Sequence, residues 1–129
     1  MNPTNVNVTA PGESQLYSDA VVANGFVFTT GQMPLDDEWN LISEDLAEQA
    51  RYVFKRLANL LKLCGSSPSD IVRLTVYLAS IDDVAGIAGP RREFLDDARP
   101  ASVMVEVSGF STPGMRLEAE AVALVRTAP

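Results

Sequence analysis

The sequence contains no histidine. That absence removes Ser-His-Asp and Cys-His nucleophile pairs and the commonest transition-metal ligand. With a single cysteine, Cys64, no zinc site of the usual ligand set can be assembled and no internal disulfide can form. No metal is expected, and a reducing, cytoplasmic setting is the default. Cationic residues are also sparse. Ten Lys and Arg stand against 17 Asp and Glu, for a formal net charge of −7, which disfavours a phosphate-backbone partner. The nearest thing to a basic cluster is Arg91-Arg92, flanked by Glu93, Asp96 and Asp97, and it reads as a solvated helix face. No apolar run approaches the ~20 residues of a membrane span. The segment Met1 to Gln15, uncharged apart from Glu13, has neither the basic start nor the apolar core of a leader, so none is expected. Acid–base chemistry here must fall to Asp, Glu, Tyr, Lys or an ordered water.

What is present describes a globular domain. The 129 residues are 47% hydrophobic and 21% charged, enough for one domain over residues 1–129 with a core of its own. Asn24-Gly25 between Val21-Val22-Ala23 and Phe26-Val27-Phe28-Thr29-Thr30 predicts a tight hairpin. Gly31 ends the second strand, and Pro34 opens a loop through Asp36, Asp37 and Asn40. Ser43 is a good N-cap for a first helix whose apolar stripe runs Leu46, Ala50, Val53, Phe54, Leu57, Leu60, Leu61 and Cys64. Gly65 is a natural stop and Pro68 forbids continuation. Cys64 on that stripe reads as a small buried hydrophobe.

Ile71 to Ala79 predicts a strand with Val72, Leu74, Val76 and Leu78 toward the helices and Arg73, Thr75 and Tyr77 on the other face. That second face is not plainly solvent-like and suggests burial in an oligomer. A second helix is expected from Ser80, with a kink or restart at Gly86, Gly89 and Pro90. Two last strands, around Ala101 to Val107 and Leu117 to Ala123, are joined by the polar connection Ser108 to Gly114. The order β-β-α-β-α-β-β is that of an α+β sandwich, with helices on one face of a mixed sheet.

Glu118 and Glu120 share a strand face, with their α-carbons ~7 Å apart. On a partly buried face this raises the pKa of at least one carboxyl, the condition for a general acid or a water-holding base. Leu117, Ala119, Ala121 and Ala123 form the helix-covered face, so the glutamates look either at solvent or at an oligomer interior. Glu120 is taken as structural.

These segments resemble the RidA/YjgF family of reactive-intermediate deaminases. The resemblance rests on Tyr17-Ser18-Asp19-Ala20, Phe28-Thr29-Thr30-Gly31-Gln32-Met33-Pro34-Leu35, Gly65-Ser66-Ser67-Pro68-Ser69-Asp70-Ile71-Val72, Thr75-Val76-Tyr77-Leu78, Pro100-Ala101-Ser102 and Leu117-Glu118-Ala119-Glu120-Ala121. It implies a chorismate-mutase-like fold and a homotrimer with small-molecule clefts between subunits. It implies cofactor-free hydrolysis of enamines and imines to ketones and ammonia. Tyr17 matches a pocket tyrosine, Thr30 a pocket serine or threonine, Gly31 a backbone ligand and Glu118 the acid that holds the attacking water. The family's carboxylate-gripping arginine is replaced by Ser102, a common cysteine by Met104 and a cleft asparagine by Ala88. Losing a buried bidentate charge pair costs ~2–5 kcal/mol of binding, so small 2-imino carboxylates are not the expected substrate. A larger, more apolar cleft is. The sequence leaves open whether Arg99, Arg116 or an arginine of a neighbouring subunit replaces the missing one. The runner-up is a non-catalytic metabolite-binding or regulatory trimer. RNA cleavage, also attached to the family, is disfavoured by the charge and the missing histidines.

Overall fold

A computed structural model describes residues 3–7 and 16–127. Residues 8–15, part of the polar N-terminal segment, lie outside them. Among the described residues, six strands form one sheet in the order β1-β2-β3-β6-β4-β5: β1 Thr4–Val6, β2 Ala20–Ala23, β3 Phe26–Thr29, β4 Ile71–Leu78, β5 Ala101–Glu106 and β6 Leu117–Leu124. Only the β4–β5 pair is parallel, so the sheet is mixed. Two helices, α1 Leu46–Leu63 and α2 Ala88–Leu95, cover one face. The expected α+β order is observed with one addition, β1, whose three residues are too short to leave a periodic signal. No helix among the described residues is long and apolar enough to cross a membrane.

Local chemistry accounts for most boundaries. Asn24 and Gly25 both take positive φ, 52° and 82°, as the hairpin requires. Helix α1 buries the expected stripe from Ala50 to Leu61, and Cys64 is fully buried behind it. Burial pushes the Cys64 thiol up, which makes it an unreactive packing group. The N-cap is Asp45 rather than Ser43: the Asp45 carboxylate accepts from the Glu48 N–H at 3.0 Å, while the Ser43 hydroxyl accepts from the Asp45 N–H at 3.0 Å. The cap therefore lies two residues later than the sequence suggests. The second helix is split. Ser80 caps a 3₁₀ turn, Ile81–Ile87, and α2 restarts at Ala88 with Pro90 in its first turn, where a missing N–H is tolerated.

The β4 face assignment needs one correction. Val72 does not face the helices but is 43% exposed, while Ile71 is buried. A bulge between Ile71 and Arg73 in the pairing with β6 explains this: one extra residue shifts the alternation at the strand's start. From Leu74 onward the alternation holds, and β6 repeats it, with Leu117, Ala119, Ala121 and Ala123 buried.

Gln49 ties the polar connection before β6 to α1. It is fully buried. Its side-chain amide donates to the carbonyls of Ser43 at 2.8 Å and Gly114 at 2.9 Å, and its carbonyl accepts from the Arg116 N–H at 2.8 Å. Gln49→Leu would leave three backbone groups unpaired at about 1–3 kcal/mol each. A loss of at least about 3 kcal/mol in unfolding free energy is expected, read as a lower urea midpoint with an unchanged slope.

Candidate active site

Strand β3 ends at Thr29, and the chain then runs Thr30-Gly31-Gln32 alongside β6. The Gln32 and Ala119 backbones exchange hydrogen bonds at 2.7 and 3.1 Å, and the Thr30 N–H donates to the Asp19 carbonyl at 2.8 Å. These bonds bring Tyr17, Asp19, Thr30 and Gly31 to the rim of a cavity of about 80 Å³ that also reaches Trp39 and Arg56. Arg56 is already engaged: it receives the Asp37 carboxylate at 3.5 Å, donates to the Tyr52 hydroxyl at 3.0 Å and lies over the Tyr52 ring.

The Glu118 carboxyl packs directly against Gly31. A Cβ added to Gly31 would coincide with Glu118 Oε2, and the Glu118 Cδ and Cγ atoms would lie 2.7 and 2.9 Å away. Only a residue without a side chain leaves room for this carboxylate. Burial, and secondarily the nearby Glu120 carboxylate, holds the Glu118 carboxyl above the usual carboxylate range. Glu120 has a different environment. Tyr77 donates to its Oε1 at 2.7 Å. That bond, with burial and the charges of both glutamates, pushes the Tyr77 hydroxyl up to about 12, so it remains a donor. Glu120 is thus a fixed partner of Tyr77, and Glu118 is the carboxyl that borders the Gly31 rim.

The other predicted positions lie elsewhere in the chain. In the β4–β5 register Ser102 pairs with Leu74 and Met104 with Val76, whose side chains are buried under the helices. In the β4–β6 register Glu118 pairs with Tyr77, on the uncovered face. Ser102 and Met104 therefore stand on the helix side of edge strand β5, with Ala88 in the first turn of α2. Within one chain the structure does not bring Ser102, Met104 and Ala88 to Glu118, Tyr17, Thr30 and Gly31.

The two arginines considered for the missing position are occupied. Arg116 forms an ion pair with Asp83 at 2.9 Å, and Arg99 donates to the carbonyls of Asp96 and Ala98 at 2.7 Å each. A third arginine, overlooked in the sequence, meets Ser102 instead. Arg91 of α2 donates from Nη2 to Ser102 Oγ at 2.9 Å. Its Nε is shut off from solvent, with no hydrogen-bond partner among the described residues. The Arg91-Arg92 pair is thus not a uniformly solvated face. Arg92 is exposed, while Arg91 is half-buried and turned toward the sheet edge. Spacing carried part of the signal, since Ala88 and Arg91 are three apart and share a helix side.

The sheet, the two-helix layer and a glutamate packed against a backbone rim define an α+β domain with a candidate site at the Thr30–Gly31 turn. A family model described as Endoribonuclease L-PSP matches residues 8–125, and the chain belongs to this family, the RidA/YjgF proteins. A RutC family protein of Pyrococcus abyssi is 34% identical over 115 residues, covering 88% of this chain and 90% of the relative. The human 2-iminobutanoate/2-iminopropanoate deaminase is 31% identical over 116 residues, covering 89% and 84%. The crystal structure of yeast Mmf1 superposes with a TM-score of 0.88 at 28% identity, covering 97% of this chain and all of the other.

Proposed function

We propose that this protein hydrolyses a small reactive imine or enamine, releasing ammonia and a carbonyl compound, with Glu118 as the general base. The observation that carries this reading is the desolvated Glu118 carboxyl held against Gly31, beside the cavity rimmed by Tyr17 and Thr30. An enamine first tautomerises to the imine, taking a proton on carbon and giving one up from nitrogen. Glu118 then accepts a proton from water as the oxygen adds to the C=N carbon, and the proton passes to nitrogen. The resulting carbinolamine collapses to a C=O bond and ammonia, so the balance needs only water. The Thr30 hydroxyl and the Gly31 backbone are suited to orienting the substrate, and Tyr17 walls the rim. A net charge of −7 works against the RNA substrate that the family description suggests.

The second group of positions, Ser102, Met104 and Ala88, reaches a cleft only if another copy supplies it. Strand β5 is the sheet edge, and its Val103 and Val105 are exposed. A homotrimer whose clefts join the Glu118 half of one chain to the Ser102 half of the next accounts for both halves. A carboxylate substrate was disfavoured because Ser102 carries no guanidinium. The Arg91 guanidinium donates to the Ser102 hydroxyl at 2.9 Å, so a carboxylate substrate is kept in the test. In the test, freshly generated 2-aminoacrylate and a carboxylate-free imine are supplied, and ammonia release is followed. Turnover above the buffer rate is expected, with light scattering giving three times the 13.9 kDa chain mass. Saturable binding without turnover would favour the non-catalytic trimer.

A further inference from the structure

The loop before α1 carries the chain's single tryptophan in a conformation that tryptophan rarely adopts. Trp39 has a φ of 66°, in the left-handed region that suits glycine or asparagine and strains a bulky residue. Hydrogen bonds hold it there. The Asp36 N–H donates to the Asn40 carbonyl at 2.9 Å, and the Trp39 N–H donates to the Asp36 carbonyl at 3.0 Å. Asp36 Oδ1 accepts from the Glu38 and Asn40 N–H groups at 3.0 and 2.9 Å. Leu35 and Leu41 pair across the base of the loop. The indole is 58% exposed, although aromatic side chains of this size gain much from burial. It lines the cavity that Thr30 and Gly31 border. A backbone outlier and an exposed large aromatic thus coincide at a cavity rim, and strained residues persist where their geometry serves a site.

The chemistry of the rim narrows what can lie against the indole. Asp36 holds the loop, Asp37 faces Arg56 at 3.5 Å, and Arg56 also donates to Tyr52. That fixed guanidinium works against a second cation. The large exposed apolar surfaces of the rim are the side chains of Tyr17 and Trp39. A cavity of about 80 Å³ is far below the roughly 300 Å³ that encloses a drug-sized ligand. It takes the reacting end of a substrate, and a larger substituent lies at the mouth. We infer that Trp39 is a specificity-determining residue that stacks on a flat aromatic substituent of the substrate, at the mouth of the cavity that takes the reacting C=N bond. This deepens the reading of the protein as an imine and enamine hydrolase and rests on it for the reacting end only. The loop sets the indole in place before a ligand arrives, so little freedom is lost on binding. Offset stacking favours an aromatic ring over an aliphatic group of equal area.

The test uses the full chain and its own reporter, the fluorescence of Trp39. Phenylacetone, the ketone that an aromatic imine would release, is titrated beside acetone, its counterpart without the ring, and calorimetry gives the affinities. Phenylacetone should bind saturably, shift the Trp39 emission and bind about tenfold or more tighter than acetone. Trp39→Ala should remove that margin, and Trp39→Phe should keep most of it. Trp39→Gly, which suits a positive φ, should lose the margin as well while melting no lower than wild type, which separates loss of the ring from loss of the fold. In Trp39→Ala the kcat/KM preference for the imine of phenylacetone over that of acetone should fall by about the same tenfold. Ring-dependent binding that is lost with Trp39, in a protein that hydrolyses neither imine, would sustain the inference and reject the hydrolase. Equal affinities for the two ketones, no phenylacetone binding, or binding that survives Trp39→Ala overturns the inference. Tighter binding of tetramethylammonium overturns it too, because the aromatic faces then serve a cation. So does a ligand-free Trp39 shielded from acrylamide quenching, because a second copy then covers the indole.

Discussion

Glu118→Gln is expected to lower kcat on an imine or enamine by about two to three orders of magnitude, the usual share of a positioned general base. Glutamine keeps the shape that fits against Gly31 and removes only the titrating group. The same change should raise stability at neutral pH. The folded-state pKa of Glu118 is raised, chiefly by burial and then by Glu120. Its contribution to stability is therefore fully present below the unfolded pKa and is lost as pH rises through the folded value. At pH 7 the carboxylate is ionised at a cost, and the glutamine variant escapes it. The advantage should vanish in acid, where wild-type Glu118 is also neutral. Activity should follow the opposite course. It requires the carboxylate, so it rises with pH along a limb displaced above the ordinary carboxylate range. Thermal melts and kcat profiles of both proteins between about pH 4 and about pH 8, a span that covers carboxylate titration, check the pair of expectations. A glutamine variant that is slow but no more stable than wild type at neutral pH would mean that Glu118 is less desolvated than its packing implies.

The contrast between Glu118 and Arg91 explains what could be read from the sequence. Glu118 lies on a strand of strict alternation, so its face follows from Leu117 and Ala119 alone, and the family words around Thr30 and Gly31 point to the same place. The core likewise follows from period: the α1 stripe and the β6 alanines are buried as expected. Where a local irregularity intervenes, the period misleads. The bulge at Ile71 to Arg73 turns Val72 outward, and two competing acceptors, Ser43 and Asp45, sit close enough that only geometry selects the cap. Arg91 was hidden for another reason. Its meaning depends on the crossing of α2 over β5, a tertiary contact between residues 11 apart, and its neighbours in sequence are the charges of a solvated helix. Gln49, too, is an ordinary helix polar residue until its partners across 65 and 67 positions are known.

Gly31→Ala should cost about 100-fold in activity while hardly altering stability. The added Cβ meets the end of a side chain, the Glu118 carboxyl group, and such a group can swing aside. The fold loses little, under about 1 kcal/mol for a relieved surface-proximal clash. The carboxylate, however, is pushed from its place against the Thr30–Gly31 rim, and a displacement of about 1 Å is enough for a 100-fold loss when a reacting group must be aligned. Gly65→Ala supplies the internal comparison. There φ is +77°, and the new Cβ would collide with the Thr127 main-chain carbonyl, which cannot swing aside. Gly65→Ala should therefore lower the melting temperature by several degrees and leave kcat per folded molecule intact. The same one-carbon addition thus separates a glycine that makes room for chemistry from a glycine that makes room for the chain. Parallel melts and single-substrate kinetics on the two variants read this directly. If Gly31→Ala keeps wild-type kcat, the carboxylate does not act from beneath Gly31, and the catalytic role of Glu118 falls with it.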